Sequence, residues 1–140
     1  MSESPLTTYG GYLETLSPER LQILDQFVAP DVHFRDPFND CHGIADMRRV
    51  LEHMYATLDN VRFTVSSSAM GDHDGFLAWR FECDWRGRRI GFEGVSQISF
   101  DEDGLVRRHV DHWDAASDFY ERLPVIGPQL RFLRRRIAAV

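Results

Sequence analysis

The sequence predicts an α+β fold, because the spacing of its apolar residues changes partway along the chain. From Ile44 to Leu58 apolar residues lie three and four positions apart, which is the spacing of one face of a helix. From Val61 onward apolar and polar residues alternate, as they do in half-buried strands. Helices followed by consecutive strands in one short chain predict helices packed on one face of a curved sheet.

Helix caps and turn residues predict where the elements begin and end. A first helix near the N-terminus should be followed by a second one that begins at Ser17-Pro18 and ends at Pro30. A strand then runs to Asp36, and residues 39–43 are expected to form a loop before the long helix. Four consecutive antiparallel strands should follow, separated by turns at residues 71–75, 86–87 and 101–104.

Composition disfavours several classes of protein. With 140 residues, 43% of them hydrophobic, the chain is long enough for a core, and we expect residues 1–140 to form a single domain. Its 16 basic and 22 acidic residues give a net charge of -6, which disfavours nucleic acid as a partner. Cys41 and Cys83 are too few to predict a disulfide framework or a zinc motif. No stretch approaches the roughly 18 apolar residues of a membrane span, so we expect a cytoplasmic protein without stable membrane insertion.

Asp36 is a candidate catalytic residue. It ends an apolar strand pattern that starts at Val32, and Pro37 follows it. A carboxylate at the end of a strand among apolar side chains is partly desolvated, which raises a pKa and suits a general base. The alternative is a turn residue whose carboxylate accepts backbone N–H groups before the proline.

These segments resemble a known superfamily. The Phe-Arg-Asp-Pro-Phe segment at residues 34–38, followed by Gly43 and a long helix, and the ending from Asp103 to Asp114 are similar to the superfamily named for nuclear transport factor 2. The SnoaL-like and ketosteroid isomerase branches are the nearest match, over residues 6 to 120. The resemblance implies a cone-shaped fold, in which N-terminal helices pack on a strongly curved antiparallel sheet and enclose a pocket.

The resemblance to ketosteroid isomerase assigns roles to single residues. It implies that Asp36 moves the proton and that Tyr12 donates a hydrogen bond to the enolate oxygen. A third position, held in that enzyme by a protonated aspartic acid, is Ser96 here. A hydroxyl is a weaker donor, and loss of one such donor costs about 2.7 to 4 kcal/mol of transition-state stabilisation. Steroid isomerisation itself is therefore disfavoured.

The alternation along the strands predicts the walls of the pocket. The apolar residues at every second position from Trp79 to Trp85 should point inward, and the charged residues between them outward. This argues against a limonene epoxide hydrolase, because two residues of that family's Asp-Arg-Asp triad fall on Phe81 and Cys83. A scytalone dehydratase is disfavoured too, since the middle strands carry no histidine. We expect the substrate-binding residues to be Phe34, Tyr55, Trp79, Phe81, Cys83, Ser96 and Trp113.

The last strand is expected to place an imidazole and a carboxylate in the same pocket. His109, Asp111 and Trp113 alternate with outward residues, so they share one face of the strand. With Asp36 they would supply two carboxylates and an imidazole for acid–base chemistry. The alternative is a buried structural pair. A metal held by His109 and Asp111 would lack a third ligand, so we expect neither a metal nor a cofactor.

Residues 115–140 are predicted to form a C-terminal helical extension. We expect its last helix, which is amphipathic and basic, to cover the mouth of the pocket or to pack on a neighbouring subunit, with a membrane surface as the alternative. Apolar residues at helical spacing are Phe119, Tyr120 and Leu123, and then Leu130, Phe132, Leu133 and Ile137 among Arg131, Arg134, Arg135 and Arg136.

Two functions from different classes remain. The first is a cofactor-independent acid–base enzyme of the isomerase, cyclase or dehydratase type that acts on a small, mostly apolar carbonyl substrate. Asp36 or Asp111 would remove the proton, and Tyr12 would stabilise the enolate. The second is a non-catalytic module that binds a small ligand or dimerises. We expect a homodimer through the outward face of the sheet, which carries Arg80, Glu82, Val95 and Gln97.

Overall fold

The computed structural model describes residues 3–115 and 127–138, and it has the predicted order of helices followed by strands. The elements are α1 (Pro5–Glu14), a 3₁₀ helix (Arg20–Gln26), β1 (Val28–Arg35), β2 (Asp40–His42), α2 (Ile44–Thr57), β3 (Asp59–Met70), β4 (Gly75–Trp85), β5 (Arg88–Phe100), β6 (Val106–Trp113) and α3 (Gly127–Ile137). The α+β fold class is confirmed.

The strands form one open sheet in the order β2-β1-β6-β5-β4-β3. The strands β3 to β6 are antiparallel neighbours in chain order, as the turn residues predict. The strand β1 lies parallel to β6, so the sheet is mixed and the prediction of an antiparallel sheet is corrected. The spacing of residues within one segment cannot predict this pairing, because it joins the first strand to the last across α2 and four other strands.

The two N-terminal α-helices pack against this sheet. α1 begins at Pro5, where the Ser4 hydroxyl accepts a hydrogen bond from the Thr7 amide at 3.2 Å, and a capping residue followed by proline is a common helix start. α1 contacts β3 and β4, and α2 contacts β1 and β2. α2 follows Gly43, whose φ of +95° favours glycine. The core between helices and sheet includes Leu6, Tyr9, Leu13, Leu24, Val28, Val32, Met47, Leu77, Ile98 and Val106.

The second helix differs from its prediction. It is a 3₁₀ helix that ends at Gln26, and both Val28 and Pro30 belong to β1, so the prediction of a helix reaching Pro30 is wrong. The pairing of β1 with β6 is irregular between Val28 and His33. A proline has no amide hydrogen to donate to a regular ladder, and it is therefore tolerated at such an irregularity.

The predicted loop at residues 39–43 contains a strand. This strand, β2, pairs antiparallel with β1, with His42 opposite His33 and Asp40 opposite Arg35. Three residues are too few to show an alternation of apolar and polar side chains, which explains the wrong prediction. The unit formed by β1, β2 and their connecting loop is called the β1–β2 hairpin below, and Asp36 lies in its loop.

The C-terminal helix predicted from the spacing of apolar residues is present as α3. Its side chains of Phe132, Leu133 and Ile137 are exposed. The residues predicted to be helical before it, Phe119 and Tyr120 together with Leu123, lie outside the described residues. Coverage of the pocket or of a neighbouring subunit by α3 stays a prediction. Across the described ranges, no helix is long and apolar enough to cross a membrane.

Candidate active site

A cavity of about 510 Å³ lies between the N-terminal helices and the inner face of the sheet. Its size falls within the usual range of small-molecule pockets, and most of its wall is apolar. The expected substrate-binding residues Phe34, Tyr55, Trp79, Phe81, Cys83, Ser96 and Trp113 all line it, and so do Asp36, His109 and Asp111.

Aromatic rings form much of the wall. The rings of Phe92 and Trp113 stack with centroids 4.2 Å apart, and Phe38 meets Trp113 edge-on at 5.4 Å. The sequence interpretation did not include Phe92 or Phe38. The turn at residues 86–87 fixes the register of β4 and β5, which places Phe92 directly opposite Phe81. This register could have identified Phe92 from the sequence.

A chain of hydrogen bonds runs along the floor of the cavity from α1 to β4. The Tyr9 hydroxyl lies 2.7 Å from Nδ1 of His109, and Nε2 of His109 lies 2.7 Å from Oδ1 of Asp111. From the other side, the Ser96 hydroxyl donates to the same Oδ1 at 2.5 Å and accepts from the Trp79 indole N–H at 2.8 Å. The strands supply the alignment, since Ser96 is the cross-strand partner of Asp111.

The direction of each hydrogen bond in this series follows from the groups that can only donate or only accept. An indole N–H only donates, so the Ser96 hydroxyl must pass its own hydrogen on to Asp111. Burial raises the pKa of Tyr9 well above its ordinary value, with a further rise from the Asp111 charge, so the phenol keeps its hydrogen. Since the Asp111 carboxylate only accepts, Nε2 of His109 carries the ring hydrogen and donates it to Asp111. Nδ1 is then the acceptor of the ring, and the Tyr9 hydroxyl donates to it.

Asp111 is thus the acceptor on which both halves of the chain end. Both donors bond to Oδ1, and among the residues that the structure describes none donates to Oδ2. The Asp111 side chain keeps 20% of its exposure, whereas His109 keeps 5%. A carboxylate held on one oxygen and open on the other, at the wall of an apolar cavity, has the geometry of a general base.

Asp36 lines the same cavity from the loop of the β1–β2 hairpin. Its Oδ1 accepts hydrogen bonds from the backbone amides of Phe38 and Asn39, at 2.8 and 2.7 Å, and the Asn39 side-chain amide contacts both oxygens. Burial raises the pKa of the Asp36 carboxyl, although these hydrogen bonds oppose the rise, and the Asp111 charge adds to it. Asp36 therefore organises its loop as well as facing the cavity.

Tyr12 does not line the cavity, contrary to the role expected for it. Its hydroxyl donates to the backbone carbonyl of Arg20 at 2.8 Å, and its ring stacks on Phe27 with centroids 4.0 Å apart. Tyr9, one helical turn earlier, does not line the cavity either, but its hydroxyl lies 2.7 Å from Nδ1 of His109, which does. Both tyrosines lie on the buried side of α1, so helical spacing could not choose between them.

Two other wall residues are held in their neutral forms. Burial raises the pKa of the Cys83 thiol, which suits a wall residue and not a nucleophile. Burial also raises the pKa of Tyr55 to about 12. Neither side chain supplies a charge to the cavity, whose other ionisable lining residues are Asp36, His53, His109 and Asp111.

Comparison with solved structures defines the class of protein. One similar structure is an NTF2-like protein of unknown function from Burkholderia pseudomallei, with 17% identity and a TM-score of 0.72 over 83% of this chain and 95% of that one. Another is a protein with a ketosteroid isomerase-like fold from Catenulispora acidiphila, solved with trimethylamine. It has 11% identity and a TM-score of 0.69 over 84% of this chain and 91% of that one. A SnoaL-like polyketide cyclase from Agrobacterium tumefaciens has 21% identity and a TM-score of 0.67 over 81% and 93%. The fold is therefore that of the NTF2-like proteins.

The sequence itself identifies the family within this class. The sequence model of the SnoaL-like domain family matches residues 10–109, which is more than half of the chain. The chain belongs to the SnoaL-like domain family, as the motifs around Asp36 and Asp111 predict. A search of curated proteins found no match.

Proposed function

We propose that the protein is a cofactor-independent acid–base enzyme that acts on a small, mostly apolar carbonyl compound. The observation that carries the proposal is Asp111, which lines an apolar cavity: its Oδ1 accepts from Ser96 and His109, and no described residue donates to its Oδ2. The two hydrogen bonds hold the carboxylate in one orientation without occupying the oxygen that would accept a proton.

In the proposed reaction Asp111 removes a proton from the carbon next to the carbonyl group. The electron pair of the broken C–H bond moves into the carbonyl and forms an enolate. Charge leaves Asp111 as the proton arrives, and the donors Ser96 and His109 remain fixed by Trp79 and Tyr9. The site therefore needs little rearrangement when the charge moves, which is the condition for electrostatic stabilisation.

Asp36 is the proposed acid. It directly follows Arg35, the cross-strand partner of Val110, so it lies on the β6 side of the cavity, near Asp111. Its raised pKa gives it a larger protonated fraction than an ordinary aspartic acid has at the same pH. The proton would sit on Oδ2, which accepts only the 3.2 Å hydrogen bond of the Asn39 side chain, whereas Oδ1 accepts from the backbone amides of Phe38 and Asn39. A neutral carboxylic acid donates well to a developing enolate oxygen, so Asp36 would take the part that the sequence interpretation gave to Tyr12. Two carboxylates whose environments differ are suited to opposite roles.

The fate of the enolate decides the type of enzyme. Return of the proton from Asp111 to another carbon gives an isomerase, and attack of the enolate carbon on a second carbonyl gives a cyclase. Loss of a neighbouring hydroxyl as water, after protonation by Asp36, gives a dehydratase. The cavity of about 510 Å³ and its stacked aromatic wall favour a planar, ring-containing substrate. The fold shared with a SnoaL-like polyketide cyclase is consistent with the cyclase type.

A second candidate is a module that binds such a molecule without reacting it. Its support is the loop of the β1–β2 hairpin, where both oxygens of Asp36 accept hydrogen bonds from the loop's own amides. In that case Asp36 and Asp111 would orient a ligand through hydrogen bonds and keep the cavity polar at one end.

The test is deuterium exchange at the carbon next to the carbonyl of cyclic ketones in D₂O, followed by NMR. We expect exchange with the wild type and a loss of about 10²- to 10⁴-fold in Asp111→Asn, which keeps the shape and removes the base. The matched control is Asp103→Asn, an exposed position in the turn before β6, which should exchange as the wild type does. Binding of the ketones without exchange, or equal exchange by Asp111→Asn, would favour the binding module.

Homodimerisation through the outward face of the sheet is also proposed. Nε of Arg80 lies 3.7 Å from Oε1 of Glu82, and Nη1 of Arg80 lies 3.9 Å from Oε1 of Glu93. This face therefore carries charges of both signs. A two-fold partner could pair the same charges across the interface. Light scattering on a size-exclusion column should give twice the mass of one chain, and Val95→Arg, a change on this face, should give a single chain.

A further inference from the structure

The outward face of the β1–β2 hairpin carries two histidines and an aspartate close together. His33 and His42 are direct cross-strand partners, and their rings stack with centroids 4.2 Å apart at an angle of 12°. Nε2 of His33 lies 2.6 Å from Oδ1 of Asp40. One ligand atom from each of His33, Asp40 and His42 lies within 4.8 Å of the others.

Imidazole nitrogen and carboxylate oxygen are the donors that Zn²⁺ and neighbouring divalent ions bind, at about 2.0 to 2.2 Å. Two ligands on one tetrahedral ion lie roughly 3.4 Å apart, as follows from that bond length. The present separations between ligand atoms are at most 4.8 Å, so each has to shorten by no more than about 1.4 Å, which rotation of the side chains supplies. His33 is partly exposed and Asp40 and His42 are exposed, so their rings and carboxylate are free to turn.

We propose that His33, Asp40 and His42 form a binding site for a divalent transition-metal ion, of which Zn²⁺ is the representative. The ladder between β1 and β2 fixes the two histidine backbones opposite each other, so little chain entropy is lost on binding. The exposed side of the ion would carry water. Arg35, on the same face and opposite Asp40, is exposed and turns to solvent without breaking a buried contact.

The site is distinct from the cavity. Phe34, between His33 and Arg35, points into the cavity wall, so alternation puts the metal ligands on the opposite face of β1. The loop that holds Asp36 connects the two strands that carry the ligands. A bound ion would join the base of this loop and hold β2, the edge strand of the sheet, against β1.

The test is titration calorimetry with ZnCl₂ on the full chain without a histidine tag. We expect one ion per chain with a micromolar dissociation constant, and at least tenfold weaker binding in His33→Gln and in His42→Gln. Asp40→Asn should weaken binding by a smaller factor, because the amide oxygen remains a poorer ligand. His73→Gln is the matched control, since His73 is exposed in the turn at residues 71–75 and belongs to another part of the surface.

The pH dependence of Zn²⁺ binding and the thermal unfolding midpoint provide two further tests. Binding should weaken as the pH falls, because protons compete with the ion for the ligand atoms, and Zn²⁺ should raise the thermal unfolding midpoint of the wild type more than that of His33→Gln. The three ligand variants should keep the wild-type circular dichroism. Absence of binding at millimolar Zn²⁺, equal binding by His33→Gln and His42→Gln, or equal loss in His73→Gln would overturn the proposal.

Discussion

Two histidine–aspartate pairs with nearly the same geometry lie in opposite environments of this molecule. The nitrogen-to-oxygen distance is 2.7 Å in the pair His109–Asp111 and 2.6 Å in the pair His33–Asp40. The side chains of the first pair keep 5% and 20% of their exposure, and those of the second keep 27% and 59%. The same contact therefore has different consequences, because water can replace a lost partner at the hairpin and cannot do so beneath the cavity.

The two histidine–aspartate pairs are also suited to different roles. The cavity pair is bonded on its far side to Tyr9 and to Ser96, so its hydrogens have one arrangement. That fixed arrangement suits proton transfer. The hairpin pair has a second imidazole stacked beside it and open solvent in front, so its donors can turn toward an ion. The two pairs consist of the same residue types, so their different roles depend on their burial and on the side chains that they contact.

The largest expected effect comes from the same replacement in both pairs. His109→Gln should lower the free energy of unfolding by about 2 kcal/mol, since the Tyr9 hydroxyl and Asp111 lose well-placed buried partners. His33→Gln should change stability far less, because its partner is exposed to water. Urea unfolding monitored by tryptophan fluorescence would measure both. Equal losses in the two variants would contradict the comparison.

The two tyrosines of α1 provide a second, smaller contrast. Tyr9→Phe and Tyr12→Phe each remove one hydroxyl hydrogen bond, so each should cost about 1 kcal/mol of stability. Of the two tyrosines, only Tyr9 donates to His109 and favours its Nε2–H tautomer. In the ketone exchange assay Tyr9→Phe should therefore slow exchange about tenfold and alter its pH profile, and Tyr12→Phe should exchange at the wild-type rate. A slower rate in Tyr12→Phe alone would restore the role first expected for that residue.

The smallest expected effect is a difference in pH dependence between Asp36, in the cavity, and Asp74, on the surface. Burial raises the pKa of Asp36, so the folded state binds the Asp36 proton more tightly than the unfolded state does. The contribution of Asp36 to stability is therefore present at low pH. It is lost as the pH rises from the unfolded-state pKa through the higher folded-state pKa. Hydrogen bonds from Ser99 and Gln97 lower the pKa of Asp74, so its contribution is present above the unfolded-state pKa and is lost as pH falls through the lowered one.

Carboxyl ¹³C NMR across acidic pH would measure both titrations in one sample. The midpoint of Asp36 should lie above about 3.9 and that of Asp74 below it, on either side of an unperturbed aspartate. Asp111→Asn should lower the midpoint of Asp36, because the Asp111 charge contributes to the rise. A midpoint for Asp36 at or below that of Asp74 would show that its loop amides outweigh burial.

The inward residues of β4 and β6 could be predicted because strand alternation is local. Apolar residues at every second position identify the buried face of β4, and the same alternation places His109, Asp111 and Trp113 together on β6. Asp36 could be found from the strand and proline around it. The turn residues between the strands specified the antiparallel order, since each turn joins neighbours in the chain.

Sequence by itself thus determined the fold class, the inner face of the sheet and the two carboxylates of the candidate site, because each depends on periodicity within a few residues. Tertiary structure decided which tyrosine reaches His109, the parallel pairing of β1 with β6, and the meeting of His33, Asp40 and His42. The helix face is shared by Tyr9 and Tyr12, so only packing against β6 selects between them. The strand β2 has no period of its own and exists through its ladder with β1, so the cluster that depends on it appears only when distant segments pair.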